Sequence, residues 1–233
     1  ALEGKLLCYR DQEDFIGVVE IADDILRRAP SDADDTIAER VARTIIRKAV
    51  ALNKLKRSAG EIACYDQVVA TYGAHADGAL REHAAKALMF KAVTLNDADQ
   101  TSAEMECYEE ILRRYAEDAA DRVRAVAADA LIHQGLSLGA IAEDAAEDTG
   151  IRETEAEIAC YDQVIARYGE DTSTHLQQAV AEALIHKGET LAEAGRMDEA
   201  ILCFEAVIDG YGASEDPELK DLVVEARKLR AEI

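Results

Sequence analysis

A repeated segment constrains this chain more than any other feature. Glu61-Ile-Ala-Cys-Tyr-Asp-Gln-Val-Val-Ala-Thr-Tyr-Gly73 returns almost unchanged as Glu157-Ile-Ala-Cys-Tyr-Asp-Gln-Val-Ile-Ala-Arg-Tyr-Gly169. Cys107-Tyr-Glu-Glu-Ile-Leu-Arg-Arg-Tyr115 lies between them and Cys203-Phe-Glu-Ala-Val-Ile-Asp-Gly-Tyr211 follows. Ile21-Ala-Asp-Asp-Ile-Leu-Arg-Arg-Ala29 is a weaker first copy. The anchors at 21, 64, 107, 160 and 203 are separated by 43, 43, 53 and 43 residues. Self-similarity at such a period marks an array of supersecondary units. A second segment keeps step, each copy starting 23 residues after an anchor: Thr44-Ile-Ile-Arg-Lys-Ala49, Ala87-Leu-Met-Phe-Lys-Ala92, Ala130-Leu-Ile-His-Gln-Gly135 and Ala183-Leu-Ile-His-Lys-Gly188. Both segments space apolar residues as a helix does, as in Leu184, Gly188 and Leu191, or Ile201, Phe204 and Ile208.

Each unit therefore reads as two antiparallel helices, A then B. A lone hairpin cannot cover its apolar face, whereas stacked hairpins can, so the expected fold is an all-α solenoid. Abundant Ala and only two prolines, Pro30 and Pro217, suit helix throughout. Five repeats are expected over 1–213, with a capping helix over 214–233 that Ser214-Glu-Asp-Pro217 opens. Ala1 aligns with Thr44 and there is no initiator Met, so the chain is expected to begin inside a truncated first repeat or to be part of a longer protein. The ten surplus residues fall between helices A and B of one unit, at about 139–153. There the acidic stretch Ala142-Glu-Asp-Ala-Ala-Glu-Asp-Thr-Gly150 reads as a longer loop or a helical extension.

The last unit, Leu184 to Gly212, resembles the tetratricopeptide repeat family. Leu184, Gly188, Leu191, Ala200 and Phe204 fall where that family places its large, small, large, small and aromatic residues. Tyr65, Tyr108 and Tyr161 match Phe204, and Gly135, Ala92 and Ala49 match Gly188. Pro30, Gly73, Ala116, Gly169 and Gly212 share the position after helix B, where the family usually has Pro. The 43-residue unit is longer than the family's usual one, and Glu61, Glu104 and Glu157 stand where a small residue is expected early in helix B. The resemblance implies a right-handed superhelix and a protein-interaction scaffold. It further implies a partner peptide in a concave groove lined by A helices. Carried over by phase, that groove would present Arg43, Ile46, Arg47, Val50, Asn53 and Lys54, then Lys86, Met89, Phe90, Val93 and Asn96. It would continue through Asp129, Ile132, His133 and Leu136 to Glu182, Ile185, His186 and Glu189. Apolar side chains flanked by cations in the first half suggest a segment bearing apolar and acidic residues. The competing expectation is that Ile46, Phe90 and Ile132 belong to the inter-helix core.

Charge narrows the partners. The net charge is −22 and lies wholly beyond residue 57, which disfavours nucleic acid and anionic membrane. No apolar run is expected to span a bilayer, and five cysteines, an odd number, suit a reducing cytoplasm. Cys64, Cys107, Cys160 and Cys203 share one phase on helix B but lack the short pairing of metal clusters, so they read as small buried hydrophobes. His133 and His186 share a phase too, yet two imidazoles do not make a metal site. No phosphate loop, nucleophile motif or His-Glu-x-x-His is present, so no catalytic residue, metal or cofactor is expected. The alternatives to a partner-binding groove are self-assembly of homo-oligomers through stacked terminal repeats and a regulatory domain of a larger protein.

Overall fold

The computed structural model of the chain describes residues 2–30, 34–144 and 147–233. Those residues form eleven helices and no strand: α1 (Leu2–Asp11), α2 (Phe15–Arg27), α3 (Asp35–Lys54), α4 (Ser58–Tyr72), α5 (Gly78–Asn96), α6 (Thr101–Tyr115), α7 (Asp121–Asp144), α8 (Glu147–Tyr168), α9 (Thr174–Glu193), α10 (Met197–Tyr211) and α11 (Pro217–Glu232). Helices adjacent in sequence pack together within two compact units, residues 1–115 and 116–233. Helices α3, α5, α7 and α9 are at the expected A-helix positions, α2, α4, α6, α8 and α10 at the B-helix positions, and α11 at that of the capping helix. In the first unit α3 also touches α5, and in the second α9 touches both α7 and α11.

Local chemistry sets the boundaries. Side chains of Asp14, Asp34, Asp77 and Asp216 accept hydrogen bonds from the first-turn amides of α2, α3, α5 and α11, satisfying donors that have no partner within the helix. Pro217 starts α11, where its missing amide costs nothing. Each described A-to-B turn carries one residue in the left-handed region: Glu13, Lys56, Asp99 and Gly195. Their spacing repeats the period of the sequence, so the turn is part of the repeat.

The surplus residues extend both helices of one hairpin. α7 has 24 residues and α8 has 22, against 20 in α3 and 15 in α4. Residues 145 and 146 of the stretch Ala142 to Gly150 lie outside the described residues. α7 also corrects one expectation. Asp121–Ala142 is long and apolar enough to cross a membrane by length and composition, with mean hydropathy 1.3. Its Val123, Val126, Ala127, Ala128, Ala130, Leu131 and Ile132 are buried against neighbouring helices, and 39% of the apolar window is buried in all.

Repeating contacts join successive hairpins. Ala49 and Ala92 are fully buried, and a Cβ at Gly188 would stand 2.6 Å from the Phe204 ring, so a small residue lets helices A and B close together. Tyr115 donates its hydroxyl to the Gly73 carbonyl at 3.1 Å, tying the end of α6 to that of α4, and within the second unit Tyr168 donates to the Ala116 carbonyl at 3.0 Å. Lys48–Asp23, Lys91–Asp66 and Lys187–Asp162 form ion pairs at the same phase, 2.6–2.7 Å apart.

Candidate functional site

Glu61, Glu104 and Glu157 are the centres of buried polar clusters. Glu61 is 2% exposed and Glu104 1%. Glu61 Oε1 accepts from the Tyr65 hydroxyl at 3.2 Å and the Thr94 hydroxyl at 2.8 Å, and Oε2 accepts from Asn53 Nδ2 at 3.1 Å. Glu104 Oε1 accepts from Tyr108 at 3.0 Å, and Oε2 from Asn96 Nδ2 at 3.0 Å. Burying a carboxylate is costly unless donors surround it, and here the repeat brings them from three helical positions. The phenol comes four residues later on the same B helix. The amide comes eight residues earlier on the A helix, and for Glu61 a threonine comes from the next A helix.

Glu157 repeats this arrangement with one change. It is 8% exposed, and its Oε1 accepts from Tyr161 at 3.0 Å and Thr190 at 2.8 Å. The position that carries asparagine in the other two clusters is Gly139, against which the carboxylate lies. A Cβ there would stand 2.8 Å from Glu157 Oε2. Among the described residues no side-chain donor reaches that oxygen. Burial pushes the Glu157 carboxyl above its ordinary range, while the Thr190 and Tyr161 hydroxyls oppose the shift.

A cavity of about 470 Å³ opens beside this carboxylate. α7 lines it with Leu136, Gly139, Ala140 and Ala142, α8 with Thr154, Glu157 and Tyr161, and α9 with His186, Glu189, Thr190 and Glu193. The His186 ring stacks on Tyr161, with centroids 5.9 Å apart, and its Nδ1 lies 3.4 Å from Glu189 Oε2. Hydrogen bonding to Glu189 raises the His186 pKa, outweighing the opposite effect of burial. Such a volume lies within the range of small-molecule sites.

The remaining residues of the predicted groove fall into several environments. Val50, Phe90 and Val93 are 46%, 43% and 45% exposed, on the neighbouring helices α3 and α5. Phe90 lies 5.9 Å from the Tyr65 ring, the same relation that His186 has to Tyr161. Ile46, Arg47 and Met89 are half-buried beside this stripe, and Lys54 is exposed. Ile132 and Ile185 do not line an open face: they are 4% and 3% exposed because neighbouring helices close over them. Asn53 and Asn96 spend their amides on Glu61 and Glu104. Arg43 and Lys86 each pair with a carboxylate one turn back on their own helix, Glu39 and Glu82. Leu136 is 41% exposed at the cavity, His133 is exposed on α7, and Glu189 is half-buried.

Sequence reading missed the clusters around these glutamates, although Tyr follows each by four residues, Asn precedes Glu61 and Glu104 by eight, and Thr follows Glu61 and Glu157 by 33. The cysteines lie where expected. Cys64, Cys107, Cys160 and Cys203 are buried and unbridged, and burial pushes Cys107 and Cys160 up to about 11. Cys8 is exposed. No family model matches the chain, and no curated protein matches it.

Proposed function

We propose that the chain is a protein-interaction scaffold of the tetratricopeptide kind. Its hairpins would continue as a right-handed solenoid, and its A-helix face would hold a segment of a partner protein. The supporting observation is the stripe of Val50, Phe90 and Val93, large apolar side chains about half exposed on adjacent A helices. Five other large apolar side chains of α3 and α5 are buried: Ile45, Leu52, Leu80, Leu88 and Leu95. Apolar side chains held together at a surface gain by covering one another with a partner. Among the described residues Arg47 and Lys54 have no ion-pair partner, unlike Arg43 and Lys86, so they are the cations left to meet a partner's carboxylates. The occupant is thus an extended or helical segment that alternates apolar anchors with acidic residues.

Fluorescence anisotropy with a labelled capped peptide of Leu and Asp, and its Leu and Lys counterpart, tests the reading. Saturable binding of the Leu/Asp peptide, lost in Arg47→Glu/Phe90→Ala at unchanged helicity, supports it. Equal binding by wild type and variant, or preference for the Lys peptide, overturns it. Light scattering of the free protein separates the competing occupant, a second copy of the chain, whose stacking would give a mass that rises with concentration.

A further inference from the structure

The three glutamate clusters form an internal comparison. In two of them Oε2 of the buried carboxylate accepts a planar –NH2 donor from an asparagine, at 3.1 and 3.0 Å. In the third the asparagine position is Gly139, no side chain among the described residues donates to the same oxygen, and a cavity opens beside it. This repeat therefore keeps the acceptor, carries no asparagine for it, and has room for another group in the adjoining cavity.

The surroundings define that group. Glu189 and Glu193 line the same cavity as Glu157. Residues 116–233 hold 10 Lys and Arg against 27 Asp and Glu, compared with 16 against 21 in residues 1–115, so the local field favours a cation. Among the described residues no three His, Cys, Asp or Glu side chains converge closely enough to share a metal ion. The acids instead lie around a volume that suits a cation with a body of its own. Leu136, Ala140, Ala142 and Ala194 supply apolar wall for its carbon stem. A guanidinium reproduces the planar –NH2 of asparagine, adds the charge that a buried carboxylate favours, and has further N–H groups for the acids at the rim.

We propose that the cavity between α7, α8 and α9 is a guanidinium-binding site, in which an N–H of the ligand donates to Glu157 Oε2 where the other repeats use asparagine. The site lies in residues 116–233 and does not depend on the apolar stripe of α3 and α5. Its test is separate from that of the peptide groove.

Agmatine, N-acetylarginine amide and the neutral isostere N-acetylcitrulline amide are titrated into the full chain, followed by amide chemical shifts. Agmatine and the arginine amide should shift Gly139, Ala140 and Thr154 saturably, and the citrulline amide should bind at least about tenfold more weakly. Binding of both guanidines identifies a partner's arginine side chain as an acceptable source, whereas binding of agmatine alone identifies a free small cation. Glu157→Gln, which keeps an acceptor for both hydroxyls, should weaken binding about tenfold or more. Glu193→Gln, at an exposed rim position, should weaken it less, and Ala140→Trp should block the cavity. Phe90→Ala should leave guanidine binding unchanged. Equal affinity for the citrulline amide, undiminished binding by Glu157→Gln and Ala140→Trp, or no saturable shift with either guanidine would overturn the proposal.

Discussion

Replacing Tyr65 by Phe and Glu61 by Ala, singly and together, tests whether the buried clusters act as units. Tyr65→Phe removes one of three donors to Glu61, at 3.2 Å, and leaves those from Thr94 and Asn53. Bonds to buried charged groups contribute about 1.5–3 kcal/mol, and with two donors remaining the loss should fall at the lower end. Glu61→Ala has a larger effect. It removes four side-chain heavy atoms from a site 2% exposed and leaves the Tyr65 hydroxyl, also buried, without its acceptor. The Thr94 hydroxyl can turn its proton to the Phe90 carbonyl, 3.0 Å away, and half-buried Asn53 can turn to water. Void and orphaned hydroxyl together should cost about 3–5 kcal/mol. In the Glu61→Ala background, Tyr65→Phe then removes an unpaired hydroxyl and should be neutral or stabilising. The expected coupling is about 2 kcal/mol. The fifth repeat already contains this apolar solution in Ala200 and Phe204, which are 0% and 1% exposed. Urea unfolding followed by circular dichroism, on wild type, both single variants and the double variant, gives the four free energies. A double variant whose loss equals the sum of the single losses within about 0.5 kcal/mol would refute the reasoning.

Three further outcomes follow from the same structure. Gly195 has φ +77° and open space where a Cβ would go, so Gly195→Ala should cost about 1–2 kcal/mol in thermal melts through backbone strain alone. Titration of the native protein with a thiol reagent should modify exposed Cys8 rapidly and the four buried thiols only on unfolding; rapid modification of five would contradict the packing. Glu157 has a folded-state pKa raised by burial, so the folded chain binds its proton more tightly than the unfolded chain does. Its contribution should be most favourable below the ordinary value of 4.5 and should decline as pH rises through the folded value. The difference in stability between wild type and Glu157→Gln, measured across that window, should therefore change with pH; a flat difference would count against the burial.

Much of the architecture was legible before any coordinates. The anchors at 21, 64, 107, 160 and 203 place the B helices, and the segments beginning at Thr44, Ala87, Ala130 and Ala183 lie within the A helices, because 3.6-residue periodicity is a local property. The Asp14, Asp34, Asp77 and Asp216 caps and the start at Pro217 are local in the same sense. Exposure within the groove was not legible. Ile46, Met89, Ile132 and Ile185 occupy one phase, yet the first two are half-buried and the last two buried, because the neighbouring hairpins cover them to different extents.

The sequence by itself determined an all-helical chain of repeating hairpins, with small residues opposite aromatic ones and one enlarged unit. Tertiary structure decided what the anomalous glutamates are for. Asn53, Glu61, Tyr65 and Thr94 span 42 residues and meet only when three helices pack, since a hydrogen bond of about 3 Å needs positions that no single helix can supply. Packing also turned the surplus residues into two longer helices, set the Glu157 carboxylate against Gly139, and left a cavity beside it.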